Sequence, residues 1–482
     1  MNDPAVQATR TLLIDALGSA PDANTSSPDL RTMFTPSSHR LALDPDVTVV
    51  RGARGTGKTY WAKALTDPEL RRVAAESYMM PRLQRTDVIT AFGREGGDEP
   101  VFPGKRAIAA LVEAGVKPLD LWSTVILIAL RHPEVQALET WSERIEWTQR
   151  NGEKYEATLR RADREAREQG RSLVLLFDDL DHLHNDRRQL DRLLGGLFEA
   201  ALELRLTTGT LRAKIFVRPD MYKSAPRDFA DASKLGANAT DLGWSRENLY
   251  GLLFHQLGNH PSEQAQAFRE ATGVWRQEGE GRFIAPVDLL ADQKRQEEVF
   301  ITLAGPFMGT DRRKGHTYTW VPNHLQDGLG RVSPRTWLRT LLRSTQLTSE
   351  RWVTHTLPLH YDAIRDSLSA SATDRVDELK DDIGWAAKAV ELLGGSQVPM
   401  ERSVVWFAWD SNKLRSEISK LLKDGEHGTG PRNLDDHDEI IRELLDLGVM
   451  TERTNRSIDL PDIYRLAFDI GRRGGVARKP VA

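Results

Sequence analysis

In the first half of the chain, three short runs are apolar at most positions: residues 47–50, 173–177 and 213–217. Unbroken apolar runs of this length, rather than alternating ones, predict strands of a parallel sheet covered on both faces. Residues 239–242 predict one more, giving a parallel sheet of about five strands. Helical spacing fills the intervals. Residues 60–65 read as the first turns of a helix and 119–131 as a buried helix. Residues 141–170, with Arg and Glu three and four apart, read as an exposed helix, and 187–205 as another. Strands and helices in alternation predict an α/β fold.

Past residue 243 the pattern becomes mostly helical. Residues 244–257 read as a helix. Ser333 followed by Pro334 supplies an N-cap and a first helical position for the next. Residues 411–423 and 436–447 carry helical patterns. Residues 448–453 and 457–460 follow, joined by a turn at Thr454-Asn455-Arg456. Two helices and then a two-stranded wing predict a winged-helix-like ending. The polar stretches 19–38, 93–104 and 276–281 read as loops, 310–315 as a charged turn, and 472–479 as a loose basic tail.

Composition narrows the chemistry. The 482 residues include no cysteine, which excludes disulfides, thiol catalysis and Cys-zinc sites. A net charge of −4 disfavours a protein that coats nucleic acid, though not a local basic patch. The apolar stretch 121–130 is too short to span a bilayer. Met1-Asn2-Asp3-Pro4 lacks the features of a secretion signal, so a cytoplasmic protein without membrane partners is expected. No histidines show metal-binding spacing; His182 and His184 read as polar residues at a helix start.

The chemistry concentrates after the first predicted strand. Gly52-Ala53-Arg54-Gly55-Thr56-Gly57-Lys58-Thr59 spells G-x-x-x-x-G-K-T, followed by Tyr60 at the start of a helix. Glycines there let backbone N–H groups turn around phosphate oxygens, and the helix N-terminus adds positive dipole. Lys58 would reach the β- and γ-phosphates, and the Thr59 hydroxyl would ligate Mg²⁺. The run at 173–177 ends in Asp178-Asp179, at the strand edge where open α/β sheets bind ligands. Asp178 would hold Mg²⁺ and Asp179 would orient or deprotonate the attacking water; a pair of aspartates closing a strand-to-helix turn is the alternative. Arg218, at the end of the run 213–217, would either sense the γ-phosphate or form an ion pair with Asp220.

Phe177-Asp178-Asp179-Leu180-Asp181 resembles the second Asp motif of STAND, NACHT and KAP-type P-loop ATPases, relatives of AAA+. The strand ending in Arg218 looks like their first sensor. Trp244-Ser245-Arg246-Glu247-Asn248-Leu249 resembles the start of an AAA-type lid. Ser333-Pro334-Arg335-Thr336 looks like a second-sensor helix, with Arg335 reaching back toward nucleotide. Residues 444–476 are similar to the end of a bacterial group of stand-alone P-loop ATPases with a winged-helix tail. The chain is read as four regions: an N-terminal helix and flexible segment 1–44, which matches nothing in the family; an ATPase core 45–243 with a helical insertion at about 93–170; a helical lid 244–345; and a helical, winged-helix-like region 346–482. The resemblance is to the core, the lid and the end of the chain. It implies ATP and Mg²⁺ as cofactors, a nucleotide-dependent switch, and a protein partner or a homo-oligomer.

Two departures stand out. Asp179 replaces the glutamate usual in AAA+ enzymes, which predicts slow turnover. No arginine finger follows the fourth strand, Arg227 being the nearest candidate. Asn412-Lys413 is followed by Leu414-Arg415, so the guanine motif is missing and adenine is expected. A DNA-binding ATPase resembling origin-recognition proteins is one alternative, although residues 435–446 are strongly acidic. A nucleotide-stabilised scaffold that scarcely hydrolyses, in a setting such as antiviral defence, is another.

Overall fold

A computed structural model of the chain describes residues 3–18, 28–93, 102–279, 281–423 and 430–473. Residues 19–27 of the loop expected at 19–38, residues 94–101 of that expected at 93–104, and residues 474–479 of the basic tail lie outside these residues. The chain forms two compact units, one of residues 21–243 and one of residues 1–20 with 244–482.

The first unit is built on five parallel strands: β1 (Val49–Arg51), β2 (Thr86–Phe92), β3 (Ser172–Phe177), β4 (Leu211–Val217) and β5 (Ala239–Asp241), in the order β2-β3-β4-β1-β5. Period-two geometry explains the unbroken apolar runs, because successive side chains feed opposite faces. Val49, Leu175, Phe177, Ala213, Ile215 and Val217 enter one core with the helices Pro118–Ala129 and Arg187–Thr207. Val50, Leu176 and Phe216 enter another with Trp61, Ala62 and Leu65 of the helix Lys58–Thr66. The two helices of the first core meet closely: a Cβ on Gly196 would stand 2.4 Å from Pro118 Cβ, so this residue serves packing.

Strand β2 is not announced by an apolar run. It is an edge strand with mixed burial, rich in β-branched residues, and its register slips between Thr90 and Phe92. The exposed helix expected over 141–170 is two helices, Trp141–Arg150 and Gly152–Glu168, divided at Asn151. Surface pairs such as Arg160–Glu156 and Arg161–Glu165 make much of the second a solvated face; such pairs add little stability.

The second unit is mostly helical. Its long elements include Pro4–Gly18, Arg246–Asn259, Pro334–Arg351 and Tyr361–Glu391, the last bent at Ile383. Ser333 caps its helix as the sequence predicts, accepting from the Thr336 N–H, and Ser245 caps the helix Arg246–Asn259, accepting from the Asn248 N–H. The buried Arg10 fastens the N-terminal helix, donating to the carbonyls of Trp352, Val353, His355, Leu357 and Pro358. The polar stretch 276–281 is a hairpin instead of a loop, pairing Arg276–Glu278 with Arg282–Ile284 around positive-φ Gly279 and Gly281. Toward the C-terminus come helices Arg402–Ser411, Leu414–Lys423 and His437–Asp446, then antiparallel strands Thr451–Glu452 and Ile458–Asp459. The helix expected over 411–423 starts later, at Leu414, after a break at residues 412–413 where Lys413 has φ 53°, and the helix Arg402–Ser411 before it was not expected.

Candidate nucleotide site

All five strands run parallel, so the loops leaving β1, β3 and β4 emerge at one edge of the sheet. The glycine-rich turn leaves β1 and delivers the chain to the helix Lys58–Thr66. Gly52 begins it, its N–H bonded to Val217 O at 3.0 Å. A Cβ there would lie 2.7 Å from Thr56 Oγ1 and 2.9 Å from Lys58 Cγ, so only glycine lets the turn close. Gly57 caps the helix at φ 102°, in the left-handed region that glycine tolerates. Thr56 folds inward, its hydroxyl donating to Ala53 O at 2.8 Å. The first N–H groups of the helix have no intrahelical carbonyl to bond, which suits an anion.

Lys58 Nζ lies over this turn, donating to Gly52 O at 3.0 Å and Ala53 O at 3.4 Å. Burial pulls its pKa below the usual lysine range; Asp181, Asp178 and Asp220 resist that pull, and Arg218 adds to it. Lys58 is therefore surrounded by charges from the loops after β3 and β4.

Asp178 directly follows β3 and is 6% exposed. Its backbone N–H bonds to Phe92 O of β2 at 2.9 Å. Lys58, the Thr59 hydroxyl and the Asp179 N–H all act to lower its pKa, yet burial still pushes it up to about 6. Its Oδ1 is buried without a hydrogen-bond partner. A buried carboxylate oxygen in this condition is costly unless a cation or water meets it. Beside the Thr59 hydroxyl, it fits a hard divalent cation. Among the described residues no group of three or more His, Cys, Asp or Glu could hold a metal.

Asp179 sits at φ 58°, ψ 34°, a left-handed conformation that aspartate tolerates better than most residues. Arg218 follows β4 and lies between the two motifs, because β4 separates β1 from β3. It pairs with Asp220 at 3.0 Å. This is a largely buried pair, with side chains 11% and 10% exposed, not a surface one. Arg227 is exposed, its guanidinium 4.7 Å from the Tyr222 ring centre. Tyr60 follows Thr59 in the same helix. Arg335 belongs to the second unit, in the first turn of Pro334–Arg351, where it pairs with Glu378 at 3.6 Å. His184 Nδ1 accepts from the Asp186 N–H, as a turn residue does. Sequence reasoning missed Asp181 and Arg187 as members of the charged edge. Asp181 had a signal, three acids within four residues after an apolar strand. Arg187 had none beyond its place at a helix start.

No family model and no curated protein matches the chain. Solved structures do align along most of it. They include the ORC2 protein of Aeropyrum pernix in ADPNP–ADP complexes, at 13% identity, covering 91% of this chain and 96% of that one, with a TM-score of 0.38. Cdc6p from Pyrobaculum aerophilum aligns at 13% identity over 94% of each chain, with a TM-score of 0.30. The ADP form of the Aeropyrum pernix ORC2 protein aligns at 12% identity over 95% and 88%, with a TM-score of 0.28. Likeness of this size carries no functional argument, and the roles assigned below rest on this chain's own residues. No helix among the described residues is long and apolar enough to cross a membrane.

Proposed function

We propose that this chain binds ATP with Mg²⁺ and hydrolyses it slowly, as a nucleotide-dependent conformational switch of STAND or AAA-like type. The observation that carries the reading is the junction of Thr59 with Asp178 beneath the glycine turn, where a buried carboxylate oxygen lacks a donor. Backbone N–H groups of residues 55–59 would cradle the phosphates, and Lys58 would exchange its two carbonyl acceptors for phosphate oxygens. Thr59 and Asp178 would hold Mg²⁺, whose charge offsets the phosphates. Asp179 would position water, with a reach one methylene shorter than glutamate. Catalysis of this kind is mostly positioning and electrostatic stabilisation of the transferring group. The same reading gives Arg218 the first-sensor role and Arg335 the second-sensor role that their sequence contexts resemble.

The partner is proposed to be a protein or a second copy of this chain. The alternative of DNA meets an acidic helix at His437–Asp446, with Asp438 paired to Arg402 and Glu439 to Arg442. Calorimetric titration with Mg-ATP tests the central claim. Binding to the wild type that is lost in Lys58→Ala is the expected result; equal affinity in the two proteins would refute the site.

A further inference from the structure

Asp220 lies in the first turn of the helix Pro219–Ser224, immediately after Arg218 and β4. Its Oδ1 accepts from Arg218 Nε at 3.0 Å. Its Oδ2 accepts from Arg218 Nη2 at 3.4 Å and from Arg187 Nη1 and Nη2, each at 3.4 Å. Arg187 opens the helix Arg187–Thr207 and is itself shared. Its Nε faces Asp191 Oδ1 at 3.2 Å, its Nη2 donates to Ser224 Oγ at 3.0 Å, and Ser224 Oγ donates to Asp191 at 2.6 Å. Two arginines and two aspartates, each side chain 10–11% exposed, neutralise one another beside Lys58.

The sharing is unequal. Asp220 holds Arg218 at ordinary hydrogen-bond distance, while Arg187 stands at the outer limit. A γ-phosphate is anionic, as Asp220 is, so both draw on the charge of Arg218. A diphosphate places no such group there. We propose that Asp220, moderated by Arg187, sets how strongly the site prefers a nucleoside triphosphate over a diphosphate, by competing with the γ-phosphate for Arg218. The proposal rests on the nucleotide reading above and makes Asp220 and Arg187 positioning residues, acting through Arg218.

It demands opposite signs from the two positions. Neutralising Asp220 removes the carboxylate that competes with the γ-phosphate for Arg218. Neutralising Arg187 leaves Asp220 to Arg218 alone and tightens its hold. The test measures the Kd of Mg-ADP and of a non-hydrolysable Mg-ATP analogue for the full chain and takes their ratio. Asp220→Asn should raise the triphosphate preference about tenfold, the weight of one charge-assisted hydrogen bond. Arg187→Gln should lower it by about threefold to fivefold, and Arg187→Lys, which keeps the charge, should stay near wild type. In an Arg218→Gln background, Asp220→Asn should no longer change the ratio. If both affinities move together while the ratio stays fixed, or if the ratio moves in the same direction in Asp220→Asn and Arg187→Gln, the proposal is overturned. Should Asp220→Asn fail to fold, the sign of Arg187→Gln still decides. A wild type that binds neither nucleotide overturns this proposal and the nucleotide reading together; a wild type that binds both, with variants unchanged in ratio, overturns this proposal alone.

Discussion

Asp163 and Asp178 lie near opposite edges of the same sheet and are equally buried, at 5% and 6% exposure. Their chemistry is opposite. At the N-terminal edge, burial alone would raise the pKa of Asp163. The N–H and hydroxyl of Thr210, with the N–H groups of Leu211 and Gly209, outweigh it and hold the carboxyl at about 2. Arg167 completes the set. At the C-terminal edge, burial prevails and Asp178 is pushed to about 6, with Oδ1 unmet. What a buried carboxylate does depends on the donors built around it as well as on how deeply it lies. One edge is closed and structural. The other leaves a buried carboxylate oxygen of Asp178 without a hydrogen-bond partner.

The largest effect is expected at the closed edge. Asp163→Ala would strand three backbone N–H groups and the Thr210 hydroxyl, and should cost roughly 4 kcal/mol of stability. ATP affinity, measured where the variant remains folded, should be unchanged. A loss below about 1 kcal/mol in denaturant titration would erase the contrast between the edges. The acid limb carries the matching sign. The folded carboxyl titrates below its ordinary 3.8, so its contribution of about 2 kcal/mol is present above that value and lost as pH falls through about 2.

Lys58→Ala should act the other way. It removes a burial-depressed ammonium whose acceptors here are two loop carbonyls, so thermal stability of the nucleotide-free protein should change little. ATP affinity should fall at least about a hundredfold. A large loss of melting temperature would make Lys58 a structural residue like Asp163.

Asp178→Asn sharpens the contrast most directly. Its folded pKa lies above the ordinary 3.8, so its charge burdens the folded state. The burden is absent below about pH 4, grows as pH rises through about 6, and is fully present beyond. Asn at this position should therefore stabilise the nucleotide-free chain at pH 8 by up to about 3 kcal/mol and have no effect near pH 4. It should also remove the Mg²⁺ dependence of ATP binding. A destabilised variant at pH 8 would mean that Lys58 and the polar groups of Thr59 and Asp179 outweigh the desolvation.

Much of the open edge was legible in the residues, because the same demands write the sequence and the geometry. A turn that must admit no Cβ at Gly52 requires glycine, and a strand buried on both faces must be apolar throughout, so its first carboxylate announces itself. What stayed hidden depends on residues distant in the chain. Strand β2 has one partner and mixed burial, so Asp87 and its threonines break any run. Asp163 reads as one more acid on an Arg/Glu-rich helix until residues 209–211 fold onto it. Arg187 and Asp220 are 33 positions apart and meet only through the crossover between β3 and β4. Two-stranded and one-turn elements near residues 276–284 were too short to leave a periodic trace.

The smallest effect concerns Asp179, where two physical terms oppose each other. Its backbone lies at φ 58°, which a short side chain accepts and a longer one resists by about 1 kcal/mol. Glutamate would extend the carboxylate by one methylene toward the place where water must sit. If Asp179 orients the attacking water and its short reach limits turnover, Asp179→Glu should raise the steady-state ATPase rate by about threefold to tenfold, a gain of roughly 1 kcal/mol in the barrier. The melting temperature should drop slightly from the backbone cost. Asp179→Asn should bind ATP normally and retain it unhydrolysed. A slower Asp179→Glu enzyme with unchanged affinity would show that the left-handed turn, not the length of the side chain, aims this carboxylate.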